Sequence, residues 1–172
     1  LVQFQLTEAD LYRVPGPVNL NRLMAIYDLV DRPELKYPPF SPGVPERLGM
    51  GVDMFAAVRT GDVLLHHPFE AFGPVADFIK QAAADPHVLA IKQTLYRTGT
   101  DSVIVQALTE AAQTGKDVTV IIELRARFDE AANIELANKL QEAGAHVMYG
   151  VFGYKTHAKL IMVVRREENG LK

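Results

Sequence analysis

Four stretches in the second half of the chain are dominated by aliphatic side chains: HVLAIKQTLY at 87–96, DVTVIIEL at 117–124, AHVMYG at 145–150 and HAKLIMVV at 157–164. Short apolar runs rich in Val, Ile and Leu predict buried strands. Between them, DSVIVQALTEAAQTG and DEAANIELANKLQEAG carry apolar residues at helical spacing. Asp101 or Ser102 suits the start of the first helix, and Gly115 and Gly144 stand where a helix-ending glycine belongs. Strands that alternate with helices predict an α/β domain whose sheet is largely parallel or mixed, with flanking helices.

The first half reads differently. LVQFQL at 1–6 alternates as a strand would, and NLNRLMAIYDLV at 19–30 has helical spacing with Asn19 as its cap. Five of the ten prolines fall between Asp31 and Glu46. Proline fixes φ and lacks an N–H, so this segment is expected to be an extended connector and a domain boundary. Beyond it, GDVLLHHP at 61–68 predicts a short strand and FEAFGPVADFIKQAAAD at 69–85 a helix.

Composition narrows the function classes. The 172 residues are 48% hydrophobic and 23% charged, ordinary for a globular protein. The absence of cysteine rules out disulfides and thiolate metal sites. A net charge of −3 argues against a broad nucleic-acid-binding surface, though not against a local basic pocket. No apolar run approaches the roughly 20 residues of a bilayer-spanning helix. With Leu1 first and no initiator methionine, the chain is expected to be a piece of a longer protein.

Against this acidic background the cations cluster. In open α/β sheets ligands bind beyond the carboxyl ends of the strands. Tyr96-Arg97-Thr98-Gly99-Thr100 follows the first strand, and Arg125-Ala126-Arg127-Phe128-Asp129-Glu130 follows the second. The loop VFGYKT follows the third and leads to His157. Lys155, His157 and Lys159 alternate, so on a strand they would share one face. Two ammonium groups beside an imidazole attract an anion, and arginine forks match phosphate oxygens bidentately. If the strand ends lie side by side, Arg97, Arg127, His157 and Lys159 make a polyanion pocket.

Other polar residues have plainer readings. Arg125 is expected to be a solvated loop residue near Glu123 and Asp129, and Glu123 to be structural. His66, His67, His87 and His146 read as exposed or satisfied side chains. Adjacent histidines on a strand cannot face one metal, so zinc is not expected at His66 and His67. Thr114-Gly115-Lys116 lacks the earlier glycine of a phosphate-binding P-loop.

The stretches AIKQTLYRTGTDSVIVQAL, VIIELRARFDEAANIELANKLQEAGAHVMYG and YKTHAKLIMVVRRE, with LKYPPFSP in the connector, resemble the bacterial polyphosphate kinases of the histidine-phosphorylating type. The resemblance runs along the whole chain. It implies that residues 1–48 are the tail of an α+β head domain with its Pro-rich connector. It also implies that 49–172 are an incomplete first C-terminal catalytic domain with a phospholipase D-like fold.

By the same resemblance the reaction is reversible transfer of the ATP γ-phosphate to inorganic polyphosphate, with His157 as the phosphorylated nucleophile. Arg97 and Arg127 match the phosphate and Mg²⁺ site, where an arginine would act through phosphate oxygens that themselves hold the cation; Lys159 would bind phosphate beside them. ATP, ADP and polyphosphate are the implied partners, with no nucleic acid and no integral membrane segment. The full-length protein would be a cytoplasmic homo-oligomer, peripheral to the membrane if associated with it, and this piece alone is expected to be inactive.

One departure bears on a rival activity. The phospholipase D motif places an Asp after His-x-Lys and four further residues, and here Val164 holds that position. Phosphodiester hydrolysis by a related enzyme is therefore the lesser alternative. A polyanion-binding module in which His157 only contacts phosphate is the non-enzymatic one.

Overall fold

The computed structural model describes residues 1–98, 102–126 and 129–172. The chain forms two compact units, Leu1–Phe40 and Ser41–Lys172.

The first unit is built from short turns of 3-10 helix at Val2–Phe4, Glu8–Asp10, Leu20–Ala25 and Pro33–Leu35, with one four-residue α-helix, α1 (Ile26–Leu29). None of these turns buries a residue. LVQFQL is therefore not a strand. Gln5 turns to φ 55°, its N–H closes on Val2, and no neighbouring strand pairs with the segment. The expected helix after Asn19 begins as 3-10 turns, and the Asn19 side chain makes no capping bond. Pro33 opens a 3-10 turn within the connector, where its fixed φ suits a first helical position.

The second unit starts with an extended segment anchored by Gly43, whose N–H donates to Phe69 O and whose carbonyl accepts from Ala71. GDVLLHHP forms no strand; only an isolated bridge joins Gly43 to Glu70 nearby. Leu48, Met54 and Ala57 make a small apolar cluster. Helix α2 (Met54–Arg59) is capped by Asp53, whose carboxylate accepts the Ala56 N–H.

The main core is a five-stranded sheet with spatial order β3-β2-β1-β4-β5. Strands β1 (Val88–Leu95), β2 (Asp117–Ile122) and β3 (His146–Tyr149) are parallel. Strand β4 (Ile161–Glu167) runs antiparallel to β1, and β5 (Gly170–Leu171) closes a hairpin on it. The sheet is thus mixed. Helix α3 (Gly73–Ala84) precedes β1, α4 (Val103–Gln113) joins β1 to β2, and α5 (Glu130–Glu142) joins β2 to β3. Helices α4 and α5 touch each other and so lie on the same face of the sheet.

Sequence explains these elements closely. Ser102 Oγ accepts the Ile104 N–H at the start of α4. Gly115, at φ 85°, ends that helix, and the Lys116 N–H bonds back to Ala111 O. Gly144, at φ 98°, ends α5 in the same way. Ile79, Ile91, Leu108, Val120, Leu136 and Leu140 are fully buried between helices and sheet. Each contributes about 1.5–3 kcal/mol through loss of apolar surface to water.

Strand β4 begins later than its apolar run suggests. His157–Leu160 precede the strand: the Thr94 N–H still donates to Leu160 O at 3.0 Å, but the Thr94 hydroxyl takes up the next backbone groups. It accepts the Leu160 N–H at 2.8 Å and donates to Ala158 O at 2.6 Å. Lys155, His157 and Lys159 therefore do not share the pleat of a strand.

Candidate functional site

The reversed direction of β4 positions the site. Its amino end lies beside the carboxyl ends of β1 and β2, so His157, just ahead of β4, arrives where Tyr96 and Arg97 leave β1. The Tyr96 and His157 rings meet edge to face, with centroids 4.8 Å apart. The Lys159 ammonium lies 4.5 Å from the Tyr96 ring centroid, the Arg97 guanidinium 5.4 Å and the Lys155 ammonium 5.6 Å. The basic side chains singled out from the alternation are thus gathered around one aromatic ring, and His157, Lys159 and Arg97 are solvent-facing.

Arg97 Nε pairs with Asp129 Oδ2 at 2.8 Å. Asp129 stands at the N-cap of α5, but its side chain makes no capping bond there. Lys159 Nζ donates to His157 O at 2.6 Å, which folds the lysine back over the histidine backbone. Arg127 lies outside the described residues, as do Gly99, Thr100, Asp101 and Phe128.

Three buried or half-buried side chains, Glu123, Asn133 and Thr94, hold this arrangement. Glu123, only 6% exposed at the end of β2, accepts the Arg125 N–H at 2.9 Å and the Thr156 N–H at 2.8 Å. The Arg125 N–H holds its carboxyl below the ordinary range. Burial opposes this, while the Thr156 N–H and the charges of Lys155 and Arg125 reinforce it. Glu123 thus binds the backbone on both sides of the cleft, and the Arg125 side chain is exposed.

Asn133 on α5 is buried and donates through Nδ2 to both Tyr96 O and Glu123 O, at 2.9 Å each. It ties the ends of β1 and β2 to one helix. Thr94 fixes residues 158–160, as described above. Sequence reasoning gave no role to Tyr96, Thr94 or Asn133. Asn133 did leave a signal: it is the polar member of an otherwise apolar stripe with Leu136, Ala137 and Leu140.

A cavity of about 780 Å³ adjoins the site, lined by Glu123, Arg125, Tyr149, Phe152, Tyr154 and Lys155. A larger one of about 1020 Å³ lies at the other end of β4, against Phe55, Phe78, Arg165 and Arg166, and contains none of these groups. The remaining histidines are exposed: His67 Nδ1 is bonded to Glu70 O and His87 Nδ1 to Asp85. Among the described residues no three His, Asp or Glu side chains converge on a point that would hold a metal ion. The donors at the site are cationic, so they fit the oxygens of a phosphate chain and not a bare cation.

The fold and site define a mixed α/β domain with a cationic cleft at the carboxyl end of its parallel strands. Residues 53–172 match the family model described as polyphosphate kinase C-terminal domain 1. The chain belongs to the polyphosphate kinase family. It is 59% identical over its full length to a polyphosphate kinase of Neisseria gonorrhoeae and 60% identical to one of Xylella fastidiosa, covering 25% and 24% of those proteins. The chain therefore spans about a quarter of the length of these curated relatives. The crystal structure of polyphosphate kinase from Porphyromonas gingivalis is similar over 91% of this chain and 26% of that one, with TM-score 0.69 and 32% identity. Among the described residues no helix is long and apolar enough to cross a membrane.

Proposed function

We propose that this chain supplies the phosphate-accepting histidine of a polyphosphate kinase, within a phospholipase D-like catalytic domain. An imidazole nitrogen of His157 attacks the γ-phosphorus of Mg·ATP. A nitrogen–phosphorus bond forms, the bond to the β–γ bridging oxygen breaks, and ADP leaves with that electron pair. The terminal oxygen of a polyphosphate chain then attacks the same phosphorus and restores the imidazole. Each step is reversible, and one difficult transfer becomes two easier ones.

The observation that carries this reading is the position of His157. In a chain of this family it sits at the strand ends against Tyr96, with Lys155, Lys159 and Arg97 around the same ring. Phosphoryl transfer depends mainly on alignment and charge neutralisation, and these cations suit the equatorial oxygens of the moving group. Arg127 is proposed to join them. Arg97 and Arg127 would bind the phosphate oxygens that in turn carry Mg²⁺, which would help neutralise the charge of the moving group. A cytoplasmic location, where ATP is abundant, and a homo-oligomeric full-length protein are part of the same proposal.

The test uses the full-length protein with Mg²⁺ and γ-labelled ATP, beside His157→Ala. Protein-bound label that survives alkali and is lost in acid is expected in the first and absent from the second. Polyphosphate binding by both proteins, without label in either, would reduce His157 to a contact in a binding module.

A further inference from the structure

Three cationic side chains and the His157 imidazole, from two separate segments, surround the Tyr96 ring, and the mutual repulsion of the cations should drive them apart. Arg97 comes from the end of β1; Lys155, His157 and Lys159 come from the segment before β4. The contacts are 4.5 Å for Lys159, 4.8 Å for the His157 ring, 5.4 Å for Arg97 and 5.6 Å for Lys155. The face of an aromatic ring is negative and its edge positive. A ring with cations near it and an imidazole edge-on to it is thus a neutral counterweight, set beside the Asp129 carboxylate that pairs with Arg97.

We propose that Tyr96 is a positioning residue for phosphoryl transfer at His157. Its ring gathers the cations before an anion arrives and fixes the imidazole plane. Its own backbone is immobilised, since Tyr96 O accepts from the buried Asn133 and the Thr94 hydroxyl pins Ala158 and Leu160 opposite. A carboxylate in the same place would also gather cations, but it would repel the incoming phosphate chain. The aromatic face supplies attraction without that penalty. The role rests on the phosphohistidine reading given above.

The experiment replaces Tyr96 in the full-length protein with Phe and then with mono-, di- and trifluorinated phenylalanines. Fluorine withdraws the negative charge from the ring face while nearly keeping its shape. The readout is the single-turnover rate of acid-labile labelling from Mg·ATP at saturation, with the apparent ATP affinity measured beside it. Tyr96→Phe, which keeps the ring face and removes only the hydroxyl, is the reference against which the fluorinated rings are read. The fluorinated series is expected to fall step by step, and Tyr96→Leu to lose on the order of 10²-fold, the scale of a misplaced reacting group. The loss should lie mostly in the rate at saturation.

A flat fluorine series in a protein that still labels at His157 overturns the role of Tyr96 and leaves the phosphohistidine intact. Absence of label from the unsubstituted protein overturns both. Because the fluorinated rings preserve packing, the series decides the matter even if Tyr96→Leu fails to fold.

Discussion

Glu123 Oε2 accepts the main-chain N–H of Thr156 at 2.8 Å, so a buried carboxylate at the end of β2 grips the residue immediately before His157. Its other oxygen takes the Arg125 N–H. Glu123→Gln keeps the shape but replaces one acceptor by a donor that faces an N–H. The loss is expected to be about 1–3 kcal/mol, read from chemical denaturation of the two proteins side by side. Hydrogen exchange at Thr156 should accelerate in the variant.

The same carboxylate makes part of the stability pH-dependent. Its folded pKa is depressed, so its contribution is complete above the ordinary carboxylate value of about 4.3 and fades as pH falls through the lower folded value. Melting curves from pH 7 down to pH 3 should therefore converge for the unsubstituted protein and Glu123→Gln. A constant gap across that range would contradict the assignment.

Asn133 is 3% exposed and serves two carbonyls, Tyr96 O and Glu123 O. Asn133→Leu fills the space with no donor and leaves both acceptors without it. A cost of about 1–3 kcal/mol is expected from unpaired buried polar groups, measured as a lower denaturation midpoint at unchanged slope.

Thr94 is the pin between β1 and the segment that carries His157. Thr94→Ser retains the hydroxyl and should label at His157 as the unsubstituted protein does. Thr94→Val removes it, and labelling in the full-length protein should slow by on the order of tenfold or more as the segment 158–160 loosens. Equal rates for the two variants would deny Thr94 any part in holding His157.

Asp129 competes with phosphate for Arg97, to which it is joined at 2.8 Å across a half-exposed pair. Such pairs are weak, about 0.2–1 kcal/mol. Asp129→Asn should therefore tighten the binding of tripolyphosphate by up to about fivefold in calorimetric titration at low salt, with the gain shrinking as salt is raised.

Much of this was legible in the residues themselves. The aliphatic runs of β1 and β2 and the periodicity of α4, with Ser102 and Gly115 at its ends, specify their elements through local physics. The alternation Lys155, His157, Lys159 pointed to the site for a reason that the structure changes. Those residues do not lie on a strand; they converge because Tyr96 stands between them and Arg97. That focus depends on β1 and β4 being neighbours, a pairing that no local pattern encodes. LVQFQL and GDVLLHHP mislead because alternation makes a strand only where a neighbour offers hydrogen bonds, and neither segment has one in a ladder.

The antiparallel return of β4 also sets an order in time. Thr94 and Leu160 are 66 positions apart, so the two halves of the cleft leave the ribosome well separated. At typical rates of synthesis the interval between them is roughly 3–13 s. Throughout it, the nascent chain carries the end of β1 with Tyr96 and Arg97 but has no His157 to set against them. The two halves of the cleft can meet only once the chain has passed His157 and begun β4.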